Sequence, residues 1–310
     1  MTMLSRVADR LYWTARYIER VEDTVRLISA YHHLIMDIPK GSEPGWDVLI
    51  RILDAEPLFY ERYRAANEQN VLRFLLAEPD VPCGLLFAVG AARENVRTTR
   101  DVLPEEAWEF INELHIYCKD NAENSVGRRN RHHFLHEVLG RCQRLNGLLL
   151  TTLSRDHAAR FLKLGQLLER SDMTTRIIDV GAGDILDREG AFAAIDPIMW
   201  GSLLQAVSAQ VAYRREIGPT VERTPAIEFV FRARNHPRSL AFCLRGVRQE
   251  VATLRNNRET LKLVDRARRR LSRFDPENMT RAQIHTFIDK FQELLNDISN
   301  SISSTWFSAE

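Results

Sequence analysis

The chain has 310 residues, 45% apolar and 27% charged, a balance that supports a packed interior and excludes an intrinsically disordered protein. Its 14 glycines and 11 prolines are too few for a loop-rich β protein. The 43 basic and 42 acidic residues nearly cancel, which removes any bulk attraction to nucleic acid or membrane surfaces.

The predicted elements follow in chain order, each bounded by helix breakers. Leu4 to Met36 lacks Pro and Gly and places Leu4, Val7, Leu11, Ile18, Val21, Val25 and Ile28 at helical spacing; Pro39, Gly41, Pro44 and Gly45 end it. Helices are expected over 47–64 and 68–78, then over 84–102 after Pro79 and Pro82, and then from Pro104 through Trp108, Ile111, Leu114 and Tyr117. A polar patch over 120–131 should separate that helix from another over 134–153. A long helix over 156–180 should stop at Gly181-Ala182-Gly183. Further helices are expected after Pro197 through Trp200, Leu203, Val207 and Val211, over 226–234 and 239–256, over 259–274 and over 280–306. No strictly alternating stretch is long enough for a strand, so the fold class is all-α.

The four cysteines, Cys83, Cys118, Cys142 and Cys243, form no C-x-x-C pair, as expected of reduced thiols. Charges enter between Met1 and Arg10 before any apolar stretch, so no secretory leader is expected. The longest weakly polar run, Cys83 to Ala92, is far short of the ~20 residues a membrane span needs. A cytoplasmic location without membrane contact is expected.

An internal match shapes the architecture. Arg10, Glu19, Arg20, Thr24, Arg26 and Ile28 recur 150 residues later as Arg160, Glu169, Arg170, Thr174, Arg176 and Ile178, and Glu22 recurs as Asp172. A second match, offset by 155, pairs Phe74, Pro82, Leu85, Phe87, Arg93, Val96 and Arg100 with Phe229, Pro237, Leu240, Phe242, Arg248, Val251 and Arg255. These matches predict a helical bundle built from two diverged copies of a unit of about 150 residues, 1–154 and 155–310, packed as one body with their first helices adjacent.

On the first helix, Glu19, Glu22 and Arg26 line one margin of the apolar face, and Arg20 and Thr24 lie on its other side. Glu22–Arg26 and Asp172–Arg176 have the favourable i,i+4 order of surface ion pairs. If the two first helices meet, Glu19, Arg20, Glu22, Thr24 and Arg26 converge with Glu169, Arg170, Asp172, Thr174 and Arg176. Arginines there suit a carboxylate or phosphate ligand, whereas a structural ion network locking the halves together explains the set equally well. Arg93, Glu94, Asn95, Arg97 and Arg100 form a second candidate surface, for an anionic ligand or a partner's acidic face, with a solvated helix face as its plain alternative.

Other signals are thin. His132 and His136 have metal-ligand spacing but lack H-E-x-x-H and a third ligand, so neither a metal site nor a cofactor is expected. Arg266, Arg268, Arg269, Arg270 and Arg273 form a basic run that would suit RNA, a reading that the neutral total disfavours. Gly181-Ala182-Gly183 lacks the strand and the G-K-[ST] of a phosphate loop.

The stretch from Arg10 to Arg20, with Glu22, Thr24 and Arg26, resembles the opening of the bacterial Alpha-E family, a helical family named for its Glu-Arg motif. Phe161 to Thr174 resembles the same family's second motif, Ala92-Arg93-Glu94-Asn95 a further one, and Asn235-His236-Pro237-Arg238-Ser239 its Asn-Pro-x-Ser element; Val81-Pro82-Cys83-Gly84 departs from that element in the first half. The resemblance implies an association with ATP-grasp-type ligases and transglutaminase-like proteins, and so with amide bond formation. The expectation is a helical partner of such a ligase that binds an anionic amino-acid or peptide-like ligand, or the ligase itself. An enzyme using Glu19 and Glu169 as acid and base is the rival, and RNA binding the third reading.

Overall fold

The computed structural model describes residues 3–39, 41, 44–186 and 195–308, and among them there are helices and no strand. The helices are α1 (Ser5–Asp37), α2 (Asp47–Ile52), α3 (Glu56–Arg62), α4 (Glu68–Leu76), α5 (Leu85–Arg97), α6 (Glu105–Ser125) and α7 (Arg128–Thr152), followed by α8 (His157–Leu186), α9 (Asp196–Ala206), α10 (Gln210–Glu216), α11 (Arg223–Arg232), α12 (Leu240–Ala252), α13 (Arg258–Ser272) and α14 (Arg281–Ile302).

Two long helices, α1 and α8, run parallel through the centre. Tyr12 meets Gly165, Arg16 and Arg20 meet Glu169, and Leu27 to Tyr31 lie near Gly181. The approach is close enough that a Cβ at Gly165 would lie 2.1 Å from the carbonyl oxygen of Tyr12, so this crossing requires glycine. From Val7 to Ile35 of α1, and from His157 to Gly181 of α8, no residue is exposed. The sequence suggested an amphipathic α1 with one buried face and charged margins. Its margins are buried too, because neighbours cover it on every side.

The jacket is arranged alike around each central helix. Helix α1 packs on α5 and α7, with α6 touching both; α8 packs on α12 and α14, with α13 touching both. The short α2 lies against α8, and α9 lies against α1. Helices α2 and α9 also end in the same turn. Asp54 and Ser208 adopt left-handed φ values of 54° and 53°, and the next amides, Ala55 and Ala209, bond back to Ile50 and Leu204 at 3.0 and 2.7 Å. That bonding satisfies carbonyls a helix end leaves open.

Four expected elements differ. The helix expected over 47–64 is broken at this Asp54 turn, and Pro57 sits in the first turn of the helix that follows. The helix expected from Pro197 through Trp200, Leu203, Val207 and Val211 ends at Ala206 and a new one begins at Gln210, because the Ser208 turn intervenes. Helix α8 runs through Gly181-Ala182-Gly183 to Leu186. Gly181 packs instead of stopping the helix, since a Cβ there would meet the Leu203 side chain at 2.4 Å. The 120–131 patch is mostly helical, and Arg131 is buried, donating to Glu68 at 2.7 Å and to the Val126 carbonyl at 2.7 Å.

Candidate functional site

Midway along the central pair, each Glu-Arg dipeptide reaches for the other. Glu19 accepts a two-pronged bond from Arg170, Nε to Oε1 at 2.7 Å and Nη2 to Oε2 at 2.8 Å. Glu169 accepts from Nε of Arg20 at 2.5 Å and Nε of Arg16 at 2.6 Å. Both carboxylates are buried, so burial alone would raise their pKa values. The guanidinium groups overturn that, lowering Glu19 through Arg238 and Arg170, and Glu169 to about 2 through Arg16 and Arg20.

The network extends on the α1 side through the turn before α12. Arg238 bonds Glu22 at 2.8 Å, lies 2.9 Å from Glu19 and also bonds Asp23. Arg26 donates to Glu22 at 2.7 Å. The turn is held in place by Arg170, which donates to the Pro237 carbonyl at 3.2 Å, and by Thr174, whose hydroxyl donates to the Arg238 carbonyl at 3.2 Å. Ser239 then caps α12 by accepting from the Phe242 amide at 3.2 Å. The corresponding first-half loop has Cys83 and Gly84 and no arginine, and Glu169 draws its second cation from Arg16 on α1 instead. Arg16 itself is fixed by the hydroxyls of Tyr12 and Ser299 at 3.3 and 3.2 Å and lies over the Trp13 ring.

Asp23 differs from its neighbours. It is buried, one of its oxygens has no hydrogen-bond partner among the described residues, and Glu19 and Glu22 stand close by. Burial, only partly offset by Arg238, pushes its pKa up to about 8. It therefore holds a proton near neutral pH, which lowers the negative charge packed beside Glu19 and Glu22.

An open cavity of about 550 Å³ lies between α1, α7, α8 and α12, a volume in the ~300–1,000 Å³ range of small-molecule sites. Leu145, Leu149, Leu150 and Leu153 form an apolar wall, and Arg155, Arg160, Lys163 and Gln166 a polar one. Asn146 joins the cavity to the network by donating to Glu22 at 3.2 Å, and Gln166 does so by bonding Glu19. Lys163 donates to Gln166 at 3.0 Å, and burial together with Arg170 lowers its pKa. Glu250 of α12 also lines the cavity; burial raises its pKa against the pull of Arg160 and Lys163.

The sequence-derived residues thus divide. Glu19, Arg20, Glu22, Arg26, Glu169 and Arg170 meet in the interior, and Thr24 and Thr174 are buried there. Asp172 and Arg176 pair at 3.0 Å on α8, and Arg176 reaches toward Asp54 in the turn after α2 at 3.6 Å. The second set stays on α5 and its outer flank. Arg93 donates to Asn112 at 2.7 Å and, like Arg100, lies over the Trp108 ring; Glu94 and Arg97 pair in solvent at 2.6 Å; the Asn95 carbonyl accepts from the Thr98 and Thr99 hydroxyls. No described hydrogen bond or ion pair joins the two sets.

Sequence reasoning missed Arg16, Asp23 and Arg238, although Arg16 and Arg238 lay inside the stretches that carried the resemblance. It also missed Lys163 and the leucine wall, which only the gap between α7 and α12 brings together. His132 and His136 stack on each other at 6.4 Å. Among the described residues the grouping at metal-ligand spacing is instead Asp179, His285 and Asp289, where His285 is 2.8 Å from Asp179, an ion-pair contact that raises the His285 pKa. No described helix is long and apolar enough to cross a membrane.

An all-helical body whose two central helices exchange Glu-Arg pairs across their interface defines a class of protein recognisable by that motif. The chain belongs to the Alpha-E family, described as a predicted alpha-helical domain with a conserved ER motif, whose model matches residues 3–307. The chain is similar to uncharacterised proteins of Mycobacterium bovis and of Mycobacterium tuberculosis strain CDC 1551, 22% identical to each over 332 residues, covering 97% of this chain and 36% of each relative. An uncharacterised protein of M. tuberculosis strain H37Rv is 21% identical over the same span. The chain therefore spans about a third of the length of these curated relatives. No solved structure matches it.

Proposed function

We propose that this protein is a helical partner of an amide-forming ligase of the ATP-grasp type, and that it holds a carboxylate-bearing amino-acid or peptide-like ligand in the cavity between α1, α7, α8 and α12. The observation that carries the ligand reading is the pairing of Lys163, Arg160 and Arg155 with a leucine wall in one open cavity. Cations that can bond a carboxylate lie beside an apolar surface that accommodates an aliphatic body. The Glu-Arg residues serve that cavity from behind its lining, where Glu19 and Glu22 hold Gln166 and Asn146 in place. Arginines hold both Glu19 and Glu169 ionised, so neither suits a general acid, which favours binding over catalysis by this chain. The ligase enters through the family resemblance. A cytoplasmic setting fits the four free thiols.

The same reading holds that residues 1–154 and 155–310 descend from one doubled unit. Its supports are the reciprocal Glu-Arg pairs 150 residues apart, the matching jackets of α1 and α8, the α2–α8 and α9–α1 exchange, and the twin turns at Asp54 and Ser208.

Calorimetric titration with short N-acetylated peptides, each as free acid and as C-terminal amide, tests the ligand. Saturable binding of the acids is expected, weakened about tenfold or more by amidation or by Lys163→Met, the worth of one charge-assisted hydrogen bond. Equal binding of acid and amide, or binding untouched by Lys163→Met, overturns the site. Co-purification with the ligase, and ligase turnover that depends on this chain, tests the partnership; failure of both with folded protein overturns it.

A further inference from the structure

The basic run that the cavity does not use forms a concave site of its own. Arg266, Arg269 and Arg270 of α13 and Arg273 just beyond its end line a cleft of about 370 Å³, whose remaining walls are Phe287 and Leu294 of α14. Their spacing, i, i+3, i+4 and i+7, turns all four guanidinium groups to one face of α13. None has a carboxylate within ion-pair distance among the described residues. The nearby acid, Asp265, is already engaged by Arg248 at 2.8 Å and Arg268 at 3.2 Å. Exposed arginines elsewhere either find acids, as Arg62, Arg73 and Arg128 do, or stand singly, as Arg64 and Arg214 do, and what sets this run apart is four converging on one concavity. The Nε of Arg270 is buried without an acceptor, its guanidinium 5.1 Å from the centre of the Phe287 ring.

Four like charges converging on one concavity of a chain whose net charge is only +1 repel one another unless an anion joins them. We infer that this cleft is a binding site for a compact polyanion of the pyrophosphate and tripolyphosphate class, held by the forked guanidinium groups. Oxyanions of that class accept the paired N–H bonds arginine offers, and a charge of about −3 to −4 at neutral pH matches the four cations. Nucleic acid fits less well. Phe287 is only 8% exposed, so it offers no ring face for base stacking. The arginines span about 10 Å of helix, little more than one short anion. The site is independent of the carboxylate cavity, so either reading can fail without the other.

The test is calorimetric titration of the whole chain at low salt with orthophosphate, pyrophosphate and tripolyphosphate, followed by competition with a short single-stranded RNA. Saturable tripolyphosphate binding is expected. It should strengthen from ortho- to tripolyphosphate, fall about tenfold or more in Arg269→Gln/Arg273→Gln, and persist in Arg97→Gln. Both substituted arginines are exposed, so the fold should survive, and an unchanged far-UV spectrum checks that it does. Absence of saturable binding, equal loss in Arg97→Gln, or RNA displacing tripolyphosphate at lower concentration than pyrophosphate overturns the proposal.

Discussion

Replacing Glu169 by glutamine changes almost no volume but leaves two guanidinium groups facing an amide in the middle of the protein. Glu169 is 3% exposed, and the side chains that grip it, Arg16 and Arg20, are 13% and 22% exposed. The carboxyl is held at about 2 against an ordinary 4.5. A difference of that size corresponds by linkage to about 3 kcal/mol of stability at neutral pH. Removal of one partner from a buried ion pair independently suggests about 3–5 kcal/mol. Urea unfolding at pH 7 should therefore show Glu169→Gln with a lower midpoint, an unchanged denaturant slope and about 3 kcal/mol lost. A depressed carboxyl contributes fully above its unfolded value and loses its contribution as pH falls toward its folded one. The gap between the two proteins should thus close between about pH 4.5 and pH 2. A loss under about 1 kcal/mol at pH 7, or a gap independent of pH, would refute the assignment of Glu169 as the ionised hub of this interface.

Asp23 should behave with the opposite sign. Its folded pKa is raised to about 8, so the folded state binds the proton more tightly and stability falls as pH climbs from about 4 toward 8. Asp23→Asn should flatten that decline in urea unfolding across the same window, and an unaltered slope counts against a protonated Asp23. Gly165→Ala drives a methyl against the Tyr12 backbone and should cost about 1–3 kcal/mol, read by the same method. Arg97→Ala breaks only a solvent pair with Glu94, and its midpoint should match that of the parent protein.

What the sequence made legible follows from which forces are local. Pro82, Pro104 and Pro237 mark real helix starts because a missing N–H and a fixed φ act on the residue itself. The break near Asp54 is signalled only by Pro57 in the first turn of α3, while the turn itself is hidden because an aspartate takes up the left-handed conformation that glycine would have announced. Gly181 misleads in the other direction, since its missing side chain makes room for Leu203 from another helix. At the site, recurrence at a fixed offset singled out Glu19, Arg20, Glu169 and Arg170, because a reciprocal contact needs both partners twice. Arg16 and Asp23 escaped because an amphipathic reading assigns a wet face to every charged helix, and α1 has none between Val7 and Ile35. Lys163, Leu149 and Leu153 face a common cavity only once α7 and α8 are placed, a long-range fact no local pattern holds.

So much charge inside a helical core needs a reason other than net stability, since apolar residues of similar volume often do as well or better. The reciprocal geometry supplies one. With α1 and α8 in register, Glu19 meets Arg170 and Glu169 meets Arg16 and Arg20. A slide of one turn that carries Glu169 to the place of Gly165 sets it against the Tyr12 backbone and Ala15 and takes it away from Arg20. Every such slip buries unpaired charge at a cost of several kcal/mol, while leucines would tolerate it. The Glu-Arg pairs therefore select one alignment of the central helices, and with it the position of Lys163 and Gln166 in the cavity. The quadruple variant Glu19→Leu/Arg20→Leu/Glu169→Leu/Arg170→Leu should keep its helical far-UV spectrum yet lose a single set of sharp side-chain resonances. A variant with the parent's sharp spectrum would show that packing alone fixes the register.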